Sequence, residues 1–318
     1  MGIICALDSE MAAVEAMLDE EHNDMPLQDV QDHNAYSVGR MHGHNVVIAC
    51  LPAGVDGLVA AATVASNMSR TFGQLRFGLL VGIGGGVPDL ERGIDIRLGD
   101  IVVSQPTGTT GGVVQYDKGK NKAGGEWERK GTLNAPPKVL LTALQKLKAR
   151  HLRRNSEVSS LIAEMLQRYP RMARNGYAFP GQDHDCLKHN TRDYAHGEAA
   201  SNACDDCETV PRPVRETSDP HIHYGIIASG NQVIKNAAVR DYLRQDCGAL
   251  CVEMEAAGLM NEFPCLVIRG VCDYADSYKN DTWHRYAAAT AAAYAKELMS
   301  CVSVDQTLHE RPVQEVLG

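Results

Sequence analysis

The sequence predicts an α/β fold: a mostly parallel or mixed sheet covered by helices on both faces. Apolar runs of strand length alternate with longer helical patterns along the 318 residues. Aromatics make up only 5% while Gly alone accounts for 29 residues. That balance favours helices packed closely on a sheet over an aromatic-rich sandwich.

The chain enters a strand at once, Gly2–Ala6, through Ile3-Ile4-Cys5. Further apolar runs place strands at Val46–Leu51, Phe77–Ile83, Asp100–Ser104, His223–Ala228, Ala249–Val252 and Leu266–Val271. Helical periodicity places helices at Ser9–Asp19, Gly57–Arg70, Pro137–Arg150, Ser156–Tyr169, Asn236–Gln245, Glu255–Asn261 and Trp283–Cys301. The last contains Ala287-Ala288-Ala289-Thr290-Ala291-Ala292-Ala293, strong helix formers small enough to lie very close to a sheet. Between Lys118 and His221 the pattern weakens, and we expect an insertion of two helices and a long irregular loop. The domain is expected over residues 1–303, with 304–318, polar and containing Pro312, a linker or tail.

Composition excludes several classes. Hydrophobic residues are 44% and charged residues 22%, ordinary for a globular protein. A net charge of −9 argues against nucleic acid or an anionic membrane as partner. No run approaches the roughly 18–20 apolar residues of a membrane span. The N-terminus lacks the basic and apolar regions of a secretory signal. Gly2 does not begin a myristoylation motif, because position 6 is Ala. Ten cysteines are scattered, several inside apolar runs (Cys5, Cys50, Cys265), as expected for small buried hydrophobes in a reducing, cytoplasmic compartment.

Four segments carry chemistry. Glu253-Met254-Glu255-Ala256-Ala257 opens a small-residue helix, and Cys265-Leu266-Val267-Ile268 runs into Arg269-Gly270-Val271-Cys272-Asp273. Acids and a cation at a buried strand end form either a structural ion-pair network or an active site. Gly82-Ile83-Gly84-Gly85-Gly86 follows a strand. It is either a turn that needs positive φ or a place where the backbone approaches a ligand. Near the first strand end, Asp8 or Ser9 can cap the following helix. Glu10 joins that capping cluster or projects as a base from a strand end, where open α/β sheets bind ligands.

Together, Asp8-Ser9-Glu10, the glycine run with Leu98–Ser104, Ser229-Gly230-Asn231, Val252–Ala257 and Arg269–Asp273 resemble, in order, the purine nucleoside phosphorylase/uridine phosphorylase superfamily. The nearest subtypes are methylthioadenosine/S-adenosylhomocysteine nucleosidases and the nucleoside phosphorylase-like domain at the N-terminus of many fungal multidomain proteins. Ile222–Ile234 and Cys272–Ser277 resemble that fungal subgroup. The resemblance implies a three-layer α/β/α nucleoside phosphorylase fold with a central mixed, partly barrel-like sheet. It also implies a homo-oligomer, and a module of a longer chain.

It implies chemistry as well. Asp273 matches the acid that protonates purine N7, and Glu255 the carboxylate that accepts bonds from the ribose hydroxyls. Met254 matches an apolar wall on the sugar. Glu10 matches the residue that orients or deprotonates the attacking water, and Arg269 the arginine beside it. Val233 falls where relatives contact the base; Asn231, Gly84 and Gly85 complete the expected binding set. The arginine that phosphorylases carry just before the glycine run is absent from Leu79-Leu80-Val81-Gly82, and Asp8 and Glu10 would repel phosphate. Hydrolysis is therefore expected: release of adenine from adenosine or a 5′-substituted adenosine, with AMP, ADP and ATP among the candidates. A phosphorylase and a non-catalytic nucleoside-sensing module are the alternatives.

Cys272 stands where many relatives have serine. In the insertion, Lys118, Lys120, Arg129 and Lys130 could hold a 5′-phosphate; the plainer reading is a solvated charged face. Cys204 and Cys207, with Cys186, His184, His189 and His196 nearby, offer half of a structural zinc knot, or else free thiols or a redox pair. The catalytic chemistry requires no metal and no cofactor.

Overall fold

The structure is a computed structural model that describes residues 1–125, 127–189 and 209–317. In chain order the strands are β1 (Gly2–Cys5), β2 (Glu20–His22), β3 (Tyr36–Met41), β4 (His44–Cys50), β5 (Gly78–Gly86) and β6 (Ile101–Ser104). There follow β7 (Val113–Gln115), β8 (Gly119–Asn121), β9 (Trp127–Arg129), β10 (Ile222–Ser229), β11 (Ala249–Glu253) and β12 (Cys265–Asp273). The helices are α1 (Asp8–Ala16), α2 (Gly57–Thr71), α3 (Lys138–His151), α4 (Val158–Arg168) and the short α5 (Pro170–Met172). After them come α6 (Ala237–Cys247), α7 (Ala256–Leu259), α8 (His284–Met299), α9 (Val304–His309) and α10 (Val313–Leu317).

The main sheet runs β2-β3-β4-β1-β5-β12-β6-β10-β11, with β7 on β10. It is mixed: β1 lies parallel to β4 and β5, whereas β12 meets β6 antiparallel. At the far end β11 turns back onto β5, pairing Cys251 with Gly86 and Val252 with Gly85. Strands β5, β12, β6, β10 and β11 therefore close into a ring, and the sheet is partly a barrel. Closure removes the exposed edge that β11 would otherwise present.

Strand alternation builds two cores. Ile3, Leu79, Val81, Leu266 and Ile268 face one cluster, which also holds residues of α1, α3, α4 and α8. Their neighbours Ile4, Leu80, Cys265 and Val267 face another, with α2 and α7. A central strand buried on both faces reads as an unbroken apolar run, which is why these strands are legible in the sequence. The alanine helix α8 lies against β12 as its composition predicts. A Cβ on Gly270 would come within 1.9 Å of the Ala287 carbonyl oxygen.

Three expectations differ from what folds. The helices α3 and α4 of the supposed insertion are structural: Leu140, Leu144, Leu147, Val158 and Ile162 belong to the first core. Buried Glu297 of α8 ties them in, accepting bonds from His151 Nε2 at 2.8 Å, Ser156 Oγ at 2.7 Å and the Glu157 amide at 3.0 Å. Residues 304–317, expected as linker or tail, form α9 and α10. Buried Val313 donates its amide to the Leu75 carbonyl at 2.7 Å. Finally, the glycine run is no turn. Strand β5 continues through Gly86, and none of Gly82, Gly84, Gly85 or Gly86 has positive φ.

Candidate active site

Glu10 sits in the first turn of α1, where β1 ends. The N-cap is Leu7, so neither Asp8 nor Ser9 caps the helix. Instead Glu10 reaches back: Oε2 accepts from the Ala6 amide at 2.7 Å and the Leu7 amide at 3.0 Å. Oε1 accepts from the Ile83 amide of β5 at 2.8 Å. The carboxyl is buried, and burial pushes its pKa up against the opposing pull of Arg269 and the three amides.

Arg269 of β12 is wholly buried and serves two acids through Nη2, Glu253 and Glu255, the latter at 3.1 Å. Glu253 ends β11 and also accepts from the Glu255 and Ala256 amides, satisfying the start of α7. It is thus the structural member of the pair. Glu255 instead accepts from the Gly57 amide at the start of α2, and its pKa is pushed up to about 7. Burial is the main cause; nearby Glu253 and Glu10 add to it, and Arg269 opposes. Arg269 Nε is buried without a hydrogen-bond partner among the described residues.

Asp273 belongs to a separate ion pair. Against β5 the register of β12 slips between Val271 and Asp273, a bulge at Cys272 that re-aims the residue after it. Asp273 Oδ1 accepts from the Ala275 amide at 2.8 Å. Its Oδ2 faces Lys279 Nζ at 2.9 Å and receives the Cys272 thiol at 3.0 Å. Burial pushes Lys279 down, but Asp273 outweighs it and the pKa is raised. The Cys272 thiol is pushed far up by burial and by Asp273. Nearby His284, the first residue of α8, is pushed down by burial.

The glycines permit this crowding. A Cβ on Gly82 would lie 2.4 Å from Arg269 Nη1 and 2.5 Å from Glu10 Oε1. On Gly84 it would lie 2.5 Å from Cys251 Sγ, and on Gly85 2.9 Å from Asp273 Oδ1. Of the two sequence readings, close approach holds and positive φ does not; what the backbone approaches is the set of charged side chains.

A cavity of about 160 Å³ joins these groups. Glu10, Gly84, Gly85, Val233, Met254, Glu255 and Asp273 line it, together with Glu253 and Cys272. Arg269 does not: its charge is consumed behind the wall by the acids it neutralises. Asn231 does not either. Its Oδ1 accepts from the Leu58 amide at 3.0 Å and its own amide bonds Asp117, which anchors the start of α2. The expected phosphate holders lie elsewhere. Lys120 and Lys130 pair with Glu128, Arg129 pairs with Asp246, and Lys118, Arg129 and Lys130 line a separate cavity of about 230 Å³. Cys204, Cys207 and His196 lie outside the described residues. Sequence reasoning missed Lys279, His284, Asp56 and Gln232, which also line the site. They stand on irregular segments or helix ends, where no periodicity marks them.

The arrangement offers a buried carboxylate with a raised proton affinity, a second carboxylate at a neighbouring strand end and an acid held by an ammonium. That set suits proton transfer to and from a small neutral ligand. The family model of the phosphorylase superfamily matches residues 1–303. A nucleotide-binding leucine-rich repeat (NLR)-like protein of Hyaloscypha variabilis is 46% identical over 303 residues, 95% of this chain. The chain spans only 29% of that relative's length. A 5′-methylthioadenosine/S-adenosylhomocysteine nucleosidase of Mycobacterium bovis is 24% identical, covering 96% of this chain and 97% of its own. Among solved structures, futalosine hydrolase of Helicobacter pylori superposes with a TM-score of 0.57 at 16% identity, over 94% of this chain and 96% of its own.

Proposed function

The chain belongs to the phosphorylase superfamily, and from the chemistry of its site we propose that it is a purine-nucleoside N-ribohydrolase that releases adenine from adenosine or a 5′-substituted adenosine. One observation carries the choice of water over phosphate. Among the described residues, the two cations near the proposed reacting centre are already engaged, Arg269 by Glu253 and Glu255, Lys279 by Asp273. Phosphate recognition relies on free, often bidentate donors. Here a phosphate dianion would enter a cavity walled by Glu10, Glu253, Glu255 and Asp273.

In the proposed reaction Glu255 accepts hydrogen bonds from the ribose 2′- and 3′-hydroxyls, and Met254 walls the sugar. Glu10 orients water and takes its proton as the O–C1′ bond forms. The C1′–N9 bond breaks with its electron pair going to the purine; Asp273, a carboxylate paired with Lys279 at rest, takes up a proton from solvent as substrate enters and delivers it to N7, so that adenine leaves neutral. Glu10 is suited to the base role because the raised proton affinity of a buried carboxylate lets it accept the proton. Arg269 acts from behind, holding Glu255 in place.

Adenosine incubated with and without phosphate tests the reading. Free ribose and adenine, at a rate independent of phosphate, are expected; ribose 1-phosphate would make the protein a phosphorylase. The NLR-like relative favours a second reading, a nucleoside-sensing module. Adenosine binding in calorimetry with no adenine released would establish that one instead. Screening adenosine, inosine, methylthioadenosine, AMP and ATP for free base ranks the substrates.

A further inference from the structure

Cys272, Asp273 and His284 place a thiol, a carboxylate and an imidazole within 4.8 Å of one another. Cys272 and Asp273 come together because the bulge in β12 brings consecutive residues to one side, Sγ 3.0 Å from Oδ2. His284 arrives from the start of α8, and its Nε2 is buried without a hydrogen-bond partner among the described residues. The nearest acid, Asp281, stands 3.4 Å away and is largely exposed. An imidazole nitrogen, a thiol sulfur and a carboxylate oxygen are the three donor types that zinc accepts.

We propose that these three side chains form an inhibitory zinc site in the wall of the cavity, whose occupation takes Asp273 out of the reaction. With bonds of about 2.0–2.3 Å to N, O and S, a tetrahedral ion holds its donors closer together than 4.8 Å. Cys272 and Asp273 already stand 3.0 Å apart, so the inward move, on the order of 1 Å, falls mainly to His284. Binding releases the Cys272 proton to solvent, and no redox step is involved. Lys279 has to leave Asp273. It stands on the irregular segment between β12 and α8 with its side chain partly exposed, so it can turn to water. The fourth position then opens on the cavity, and the metal-bound carboxylate no longer supplies a proton to a purine. Serine, which the resemblance places at position 272 in many relatives, would be a far poorer zinc ligand than the thiolate.

The inhibitory consequence rests on the hydrolase reading; the site itself does not. Titration of the purified protein with Co²⁺ alone separates the two. One equivalent should produce thiolate-to-cobalt charge-transfer absorption, and Zn²⁺ should abolish it. Cys272→Ser and His284→Gln, each checked for fold by circular dichroism, should each weaken binding by on the order of 100-fold. Zn²⁺ should inhibit adenosine cleavage, and the concentration for half inhibition should rise by a similar factor in Cys272→Ser. Independently of turnover, Zn²⁺ should compete with adenine in calorimetry. A cobalt spectrum unchanged in both variants assigns the metal to other thiols and overturns the site. Metal bound at these residues with adenine binding unaffected overturns the inhibition.

Discussion

Lys279 holds Asp273, its Nζ 2.9 Å from Oδ2, while the arginine on the same strand as Asp273 turns away to Glu253 and Glu255. The proposed acid and the proposed sugar clamp therefore sit in two separate ion-pair systems. Each can be altered without breaking the other.

Asp273→Asn keeps the size of the side chain and removes the transferable proton. Adenosine turnover should drop by about 10²–10⁴-fold with little change in melting temperature. Lys279→Met should lower kcat less, about tenfold, by loosening the aim of the acid. Steady-state kinetics beside a thermal melt decide both, and near-normal turnover in Asp273→Asn removes its catalytic role.

The proposed bonds from ribose hydroxyls to Glu255 need it as a carboxylate, and its pKa is pushed up to about 7. Recognition should therefore improve as pH rises through about 7, seen as a rising limb in kcat/KM. Stability moves the other way. A carboxyl whose folded pKa exceeds its ordinary 4.5 holds its proton in the native state while the unfolded chain has lost it. Its contribution to stability therefore falls between pH 4.5 and about 7. Glu255→Gln should flatten both trends and erase discrimination against 2′-deoxyadenosine. A variant that still discriminates would free Glu255 from the sugar.

Gly82→Ala should damage fold and site at once, because the new methyl meets Arg269 and Glu10 well inside contact distance. A loss of about 1–3 kcal/mol is expected from overpacking, read by urea unfolding, together with loss of activity. Unchanged stability would mean that the charged cluster has room to relax.

Asp100, the residue just before β6, holds a charge cluster apart from the site. It accepts from both Arg215 terminal nitrogens, at 2.6 and 2.7 Å, and from His223 Nε2 at 2.9 Å. Burial pushes its pKa up, but Arg215 and His223 prevail and hold it down at about 2, against an ordinary 3.8. This stabilisation is full above pH 3.8 and disappears as pH falls towards 2. Asp100→Asn, which takes the carboxylate from a half-buried Arg215 that keeps its bond to the Asp95 carbonyl, should cost about 2–3 kcal/mol at pH 7. The gap from wild type should narrow in unfolding curves taken at pH 3.

The sequence made the framework legible where strands are buried on both faces, since Leu79-Leu80-Val81 and Leu266-Val267-Ile268 leave no ambiguity of face. It said little about β2, whose Glu20-Glu21-His22 forms an edge by backbone bonding to β3 alone. The acids could be named because buried charge at a strand end is costly and therefore conspicuous. What each acid pairs with could not. Arg269 and Asp273 are neighbours in sequence yet belong to different ion pairs, and only the bulge at Cys272 separates them. Lys279 was hidden because its partner is fixed by a loop path, which carries no periodic signal. Asn231 was over-read: a polar residue after a strand serves a helix start as readily as a ligand.

The return of β11 onto β5 has a mechanical consequence. A ring of strands cannot shear open as a flat sheet can, so Glu253, the glycine backbone and Asp273 keep fixed spacing whether or not a nucleoside is present. Admission of substrate falls to the segments at the rim that carry Gln232, Val233 and Lys279. Under the proposed function, selectivity for the 5′ substituent can therefore vary by substitution in those short stretches, while the charges proposed to act on the glycosidic bond stay in place.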